Sequence, residues 1–169
     1  RRPLRLFSFE SLIHVLNETD VPFLLAGGLA VAAHGYGRHT QDVDLVINLD
    51  PDAVHAAFRA LASLGYRPRA PVTADQFADP DQRARWIAEK NMTVLSFLSD
   101  EHRETPVDLF VIEPFDFADE YRLALVQEIA PGEPVRIVRL EALLRMKQIA
   151  GRPQDLADIA ELRLLHGEP

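Results

Sequence analysis

The chain has no cysteine among its 169 residues. This absence excludes disulfide bonds, zinc sites built on thiolates and catalysis by a cysteine nucleophile. A chain of this length buries about 70% of the surface of its unfolded form, so it can fold without covalent staples. A cysteine-free composition also fits a reducing compartment, and we expect a cytoplasmic protein.

Long hydrophobic runs are missing as well. No apolar stretch approaches the ~20 residues that a transmembrane helix requires, and we expect no membrane partner. The segment from Arg1 to Arg5 lacks the extended apolar region of a secretory signal.

Positive charge is in deficit. Eighteen Lys and Arg residues stand against 26 Asp and Glu residues, which gives a formal net charge of −8 at pH 7. A protein that coats nucleic acid needs a basic face, so we expect no DNA partner. The charge balance does not exclude an enzyme that touches a single RNA end.

The spacing of apolar residues predicts one domain of the α/β or α+β class, in which helices flank a mixed sheet. Strands are expected over 23–26, 42–48, 92–98 and 107–112, with an edge hairpin over 125–130 and 135–138. Helices are expected over 8–18, 28–34 and 51–64, with a partly helical insertion over 75–90. Two helices over 140–150 and 153–166 follow, so the domain (1–169) divides into a sheet core (1–138) and a C-terminal helical pair (139–169).

A glycine turn is followed closely by two carboxylates. Gly27 and Gly28 join the first strand to an alanine-rich helix, and Asp42 and Asp44 lie on the second strand. Side chains two residues apart on a strand point the same way. Paired carboxylates suit Mg²⁺, and the glycines would let a triphosphate approach the backbone and the positive helix end. The alternative for the glycines is a tight strand-to-helix turn without a ligand.

A third acid lies in an otherwise apolar strand. Asp108 is surrounded by Val107, Leu109 and Phe110. A buried charge is costly unless it is paired or coordinates a metal. We therefore expect Asp108 to share a cation with Asp42 and Asp44, which themselves could be ordinary acids at a sheet end.

In sequence order, the glycines and the acids belong to one pattern: Gly27-Gly28, Arg38-x-Thr40-x-Asp42-x-Asp44 and Asp108. This pattern resembles the nucleotidyltransferase superfamily with the polymerase-beta-like fold. There, a Gly-Gly or Gly-Ser turn precedes an Asp-x-Asp or Asp-x-Glu pair and a third strand acid. The run from Lys147 to Ile159, with its Asp-Leu-x-Asp-Ile, is similar to abortive-infection type nucleotidyltransferase toxins and minimal nucleotidyltransferases.

The resemblance implies a two-metal transfer with a nucleoside triphosphate as substrate. Asp42 and Asp44 would hold the Mg²⁺, or Mn²⁺, that grips the triphosphate. Asp108 would share the second ion and activate the attacking hydroxyl, directly or as a general base.

Further residues carry two interpretations each. Lys147 shares an inward stripe with Leu143 and Leu144, so it either snorkels to water or, as the family pattern suggests, contacts nucleotide phosphates. Asp155 either caps its helix or orients Lys147 or contacts nucleotide or metal. Arg38 could reach a phosphate or be solvated.

Two more candidates are weaker. Thr40 would share the strand face of the acids if the second strand begins early. Trp86 either stacks on a base, with neighbouring arginines contacting RNA, or belongs to an ordinary surface helix.

These observations predict transfer of a nucleoside monophosphate to a hydroxyl of RNA, including a tRNA end, of a protein or of a small molecule. The toxin resemblance implies a cognate antitoxin. The alternatives are phosphoryl transfer by the same metal site and a non-catalytic nucleotide-binding module.

Overall fold

The computed structural model describes residues 6–167. The segment over 1–5, on which the secretory signal was judged, lies outside the described residues, as do 168–169. None of the described helices is both long and apolar enough to cross a membrane.

Within residues 6–167 the chain forms seven strands and eight helices. The strands are β1 (Phe23–Ala26), β2 (Val43–Ile47), β3 (Tyr66–Pro68), β4 (Val94–Ser99), β5 (Val107–Phe110), β6 (Leu125–Ala130) and β7 (Glu133–Ile137). The helices are α1 (Leu6–Glu18), α2 (Gly27–Ala33), α3 (Pro51–Ser63), α4 (Ala74–Ala78), α5 (Pro80–Lys90), α6 (Phe117–Leu123), α7 (Leu140–Ala150) and α8 (Pro153–His166).

The strands form one mixed sheet in the order β3-β4-β5-β2-β1-β7-β6. The pairs β2–β5 and β1–β7 are parallel, and the other neighbours are antiparallel. The predicted mixed sheet with flanking helices is therefore confirmed. In the predicted hairpin only β6 lies at the edge, because β7 also pairs with β1.

Local chemistry explains where several helices begin and end. Asp50 accepts a hydrogen bond from the backbone N–H of Asp52 at 3.0 Å, and Pro51 occupies the first turn of α3, as the sequence predicts. The insertion over 75–90 contains two helices, α4 and α5, which a capping box at Thr73 and a cap at Asp79 start separately.

Two short elements were missed in the sequence. The strand β3 has three residues, one of them a proline, so no alternating pattern can develop. The helix α6 has seven residues and is capped by Asp116, whose side chain accepts a hydrogen bond from the N–H of Asp119. Both elements are too short for the spacing of their apolar residues to indicate a strand or a helix.

One hydrophobic core joins the central strands to the helices. Fully buried side chains come from the middle of the sheet, and α1, α3, α7 and α8 contribute others. Alternation on β2 turns Val43 and Leu45 into this core, so Asp44 projects from the opposite face. The C-terminal helices pack on each other, and α7 also contacts α2, the helix that begins at the glycine turn.

Candidate active site

Two of the predicted acids are direct neighbours in the sheet. Asp44 on β2 is in register with Asp108 on the parallel strand β5. The other neighbour of Asp44 is Ala26 on β1, which immediately precedes the glycine turn. Both carboxylates are half-buried, whereas Asp42, which was expected on the strand, lies just ahead of β2 and is exposed. The sheet thus brings the acids and the glycine turn to one place.

Like charge shapes the electrostatics of this acidic site. Burial raises the pKa of Asp44 to about 7, and repulsion from Asp108 and Asp42 adds to the effect, although Lys147 and Arg152 oppose it. Burial also raises the pKa of Asp108, with Asp42 contributing, against a hydrogen bond from Ser96 and the charge of Arg152. The nearby positive charge therefore compensates the carboxylates only in part.

A serine fixes the orientation of the third acid. Ser96 on β4 faces Asp108 across the antiparallel β4–β5 pair. Its hydroxyl donates to Oδ1 of Asp108 at 2.6 Å. This bond leaves Oδ2 of Asp108 for other partners.

The donor chemistry of the site fits a hard divalent cation. Asp42, Asp44 and Asp108 offer only oxygen atoms, which Mg²⁺ and Mn²⁺ prefer, and a cation would relieve their mutual repulsion. Among the described residues, no three His, Cys, Asp or Glu side chains already stand together as a metal cage. The carboxylates fit a metal by chemistry, and their assignment as ligands stays a prediction.

Both glycines of the turn make room for side chains of this site. Gly27 has φ +62°, and a Cβ there would overlap the Asp44 carboxylate. A Cβ on Gly28 would lie 2.5 Å from Oγ1 of Thr40. These contacts are enough to explain why both positions are glycine, whether or not a triphosphate binds. The alternative of a tight strand-to-helix turn without a ligand is therefore compatible with the structure. Thr40 precedes β2, so the second strand does not begin early.

Lys147 is buried rather than snorkelling. Its side chain is 6% exposed, and Nζ lies 2.7 Å from Oδ2 of Asp158 and 3.2 Å from Oδ1 of Asp155. The alternative in which the ammonium reaches water is therefore wrong. Asp155 contacts Lys147 directly, as the orienting interpretation requires.

Two arginines complete this charged cluster. Arg38 donates from Nε and Nη2 to the two carboxylate oxygens of Asp158, at 2.7 and 2.8 Å. Arg152 donates from Nε to Oδ2 of Asp155 at 2.7 Å. We call these five residues, Arg38, Lys147, Arg152, Asp155 and Asp158, the helical-pair cluster.

Cations set the protonation of the two cluster acids. Burial by itself would raise the pKa of Asp155 and of Asp158. Hydrogen bonds from Arg152 and Lys147 to Asp155, and from Arg38 and Lys147 to Asp158, outweigh burial and hold each pKa below its ordinary value. Both carboxylates are therefore ionised at neutral pH.

Sequence reasoning assigned no site role to Arg152, Asp158 or Ser96. A signal for Asp158 was present, because Asp155, Asp158, Ile159 and Leu162 follow the i, i+3, i+4, i+7 spacing of a buried helix face. Acids on such a face need cations. Ser96 becomes visible only once strand pairing is known.

The structure overturns the base-stacking interpretation of Trp86. This side chain is 7% exposed and belongs to the hydrophobic core. A ring in that position has no free face for a nucleobase. Trp86 is an anchor of α5.

The chain is similar to known proteins in its three-dimensional structure. No protein-family model and no curated protein sequence matches the chain. The crystal structure of the lincosamide antibiotic adenylyltransferase LnuA, lincomycin-bound, is 14% identical, with a TM-score of 0.59 over 96% of this chain and 98% of that one. The chain has the nucleotidyltransferase fold.

Two further structures share this nucleotidyltransferase fold. The solution structure of the antibiotic-resistance factor ANT(2″)-Ia is 14% identical, with a TM-score of 0.60 over 94% of this chain and 82% of that one. An antigenic nucleotidyltransferase-like protein from Paracoccidioides brasiliensis is 19% identical, with a TM-score of 0.55 over 95% and 76%. The predicted fold is confirmed.

Proposed function

We propose that this protein is a divalent-metal-dependent nucleotidyltransferase that moves a nucleoside monophosphate from a triphosphate to a hydroxyl group. One observation carries the proposal: Asp44 and Asp108 lie side by side on parallel strands, next to a glycine turn, in a fold shared with antibiotic nucleotidyltransferases. Half-buried acids that repel each other cost stability, and such groups are concentrated at functional sites.

The residues suggest how the transfer would proceed. Asp42, Asp44 and Asp108 would supply the oxygen ligands. Bound Mg²⁺ or Mn²⁺ would neutralise phosphate charge and orient the triphosphate. The acceptor oxygen attacks the α-phosphorus, the bond from that phosphorus to the bridging oxygen of the β-phosphate breaks, and pyrophosphate leaves. Asp108, with Oδ1 held by Ser96, would ligate the second ion through Oδ2, and that ion would lower the pKa of the acceptor hydroxyl so that its proton passes to water.

For the acceptor we favour a small molecule. The net charge of −8 disfavours a long polyanion, since RNA binding draws on positive charge. One matched protein is named an adenylyltransferase of lincosamide antibiotics, and ANT(2″)-Ia has been crystallised with adenylyl-2″-tobramycin. A hydroxylated small molecule fits both considerations.

A second candidate is a toxin that modifies RNA or a protein and is restrained by an antitoxin. The observation behind it is the Lys147 to Ile159 motif, whose charged members form the helical-pair cluster together with Arg38. In this case the acceptor is an RNA end, such as that of tRNA, or a partner protein.

Label transfer tests the proposal. The protein is incubated with Mg²⁺, a lysate or a panel of small hydroxylated compounds, and each triphosphate labelled at the α- or the γ-phosphate, with a D42N/D44N control. Retained α-label on an acceptor supports nucleotidyl transfer, and the labelled species identifies it. Retention of γ-label alone makes the protein a phosphotransferase, and no label from either position refutes catalysis with these acceptors.

A further inference from the structure

The buried lysine has little capacity left for a substrate. Its ammonium lies between Asp155 and Asp158, and Arg38 holds Asp158 in place with two bonds. Moving Lys147 to a phosphate would leave two buried carboxylates with less positive charge, which is unfavourable. We therefore expect Lys147 to stabilise the structure by neutralising Asp155 and Asp158, rather than to bind the substrate.

Arg152 has the opposite character. It follows Gly151, whose φ of +62° ends α7 in a left-handed conformation, and its side chain is 76% exposed. Within residues 6–167, its guanidinium hydrogen bonds go to Asp155 alone, from Nε at 2.7 Å and Nη2 at 3.3 Å. A guanidinium has five N–H donors, so Nη1 is left to meet a ligand.

The helical-pair cluster that holds Arg152 adjoins the glycine turn of the site, because a Cβ on Gly28 would lie 3.3 Å from Nη1 of Arg38, and Arg38 is bonded to Asp158. The positive charge of Arg152 also lowers the pKa of both Asp44 and Asp108. Asp155, itself fixed by Lys147, anchors Arg152 on one side. An arginine that is anchored on one edge and open on the other is pre-oriented for a phosphate.

We infer that Arg152 contacts the β- and γ-phosphates of the nucleoside triphosphate, and that Lys147 is a positioning residue that holds Asp155, and through it Arg152, in place. This inference rests on the proposed function and deepens it. Arg38 is a poorer candidate, because its side chain is 20% exposed and both oxygens of Asp158 occupy it.

The test compares triphosphate and monophosphate binding by calorimetry with Mg²⁺. ATP, GTP, CTP and UTP are titrated into the wild-type protein, and the tightest of them and its monophosphate into each variant. R152Q should lose about tenfold or more in affinity for the triphosphate and less than about twofold for the monophosphate, and R152K should recover part of the loss. R67Q is a matched control, because Arg67 is 74% exposed and pairs with Asp100 at 3.1 Å on the edge strand β3.

Lys147 is tested through its coupling to Arg152. K147M should weaken triphosphate binding, and the double variant K147M/R152Q should bind no worse than R152Q, since both changes remove one contact. Circular dichroism establishes that each variant is folded at the temperature of titration. Additive losses in the double variant would overturn the positioning role.

The outcomes separate the inference from the function on which it rests. Equal affinity of R152Q and wild type, or equal losses for triphosphate and monophosphate, overturns the Arg152 contact while the proposed function stands. Failure of the wild-type protein to bind any triphosphate refutes the proposed function itself.

Discussion

At the scale of single residues, repulsion among the acids should be measurable as stability. Burial and neighbouring charge raise the pKa of Asp44 to about 7, so removing a charge relieves strain. We predict that D42N or D44N abolishes Mg²⁺-dependent triphosphate binding and leaves Tm similar or higher. Differential scanning fluorimetry with and without triphosphate and Mg²⁺ measures both, and unchanged affinity would rule out the metal assignment.

The glycine turn permits a sharper comparison between two residues. Gly27 and Gly132 both have positive φ, +62° and +75°, but a Cβ on Gly132 meets nothing within 4 Å. Alanine in this conformation costs roughly 1–2 kcal/mol by itself. G27A must also displace Asp44.

We therefore predict that G27A lowers the free energy of unfolding by more than G132A does and that it alone impairs triphosphate binding. Urea unfolding and calorimetry supply the two measurements. Equal effects of the two variants would mean that the Asp44 carboxylate moves aside freely.

At the scale of elements, the stability of the packing of α8 against α7 should depend on pH. The pKa of Asp155 and of Asp158 lies below the ordinary value of 3.8, so the unfolded chain binds more protons than the folded chain as pH falls through this region. The ion pairs contribute fully above pH 3.8, and their contribution is lost as pH falls through the folded pKa values.

We predict that the free energy of unfolding, measured with urea from pH 7 to pH 3, falls more steeply with acid in the wild-type protein than in D155N/D158N. The double variant is itself less stable at pH 7, because Lys147 loses both partners. Parallel pH profiles would exclude the helical-pair cluster as the source.

The elements also show what the sequence can and cannot predict. The helices α7 and α8 have the predicted bounds, because apolar periodicity, a glycine stop and a proline start agree. The strand acids were found since period-2 alternation is local. The pairing of Arg38 with Asp158 was not predicted, because these two residues lie 120 residues apart in the chain and no local pattern encodes that contact. The strand β3 and the helix α6 were not predicted, because they are too short to show a periodic pattern of apolar residues.

At the scale of the whole molecule, net charge limits the acceptor. With 26 acidic and 18 basic residues, the protein can neutralise few phosphates of a polyanion. We predict no binding of an unstructured single-stranded RNA of about 20 nucleotides at physiological salt, measured by fluorescence anisotropy. Tight binding with a steep salt dependence would favour an RNA substrate over a small molecule.

The helical-pair cluster also sets an order of events during synthesis. Arg38 is made 120 residues before its partner Asp158. The ribosome therefore releases the acidic strands β2 and β5 before α8 can join them. A nascent chain carries the acids before Arg152 and Asp158 are made, so the transferase that we propose would become active only once translation has passed α8.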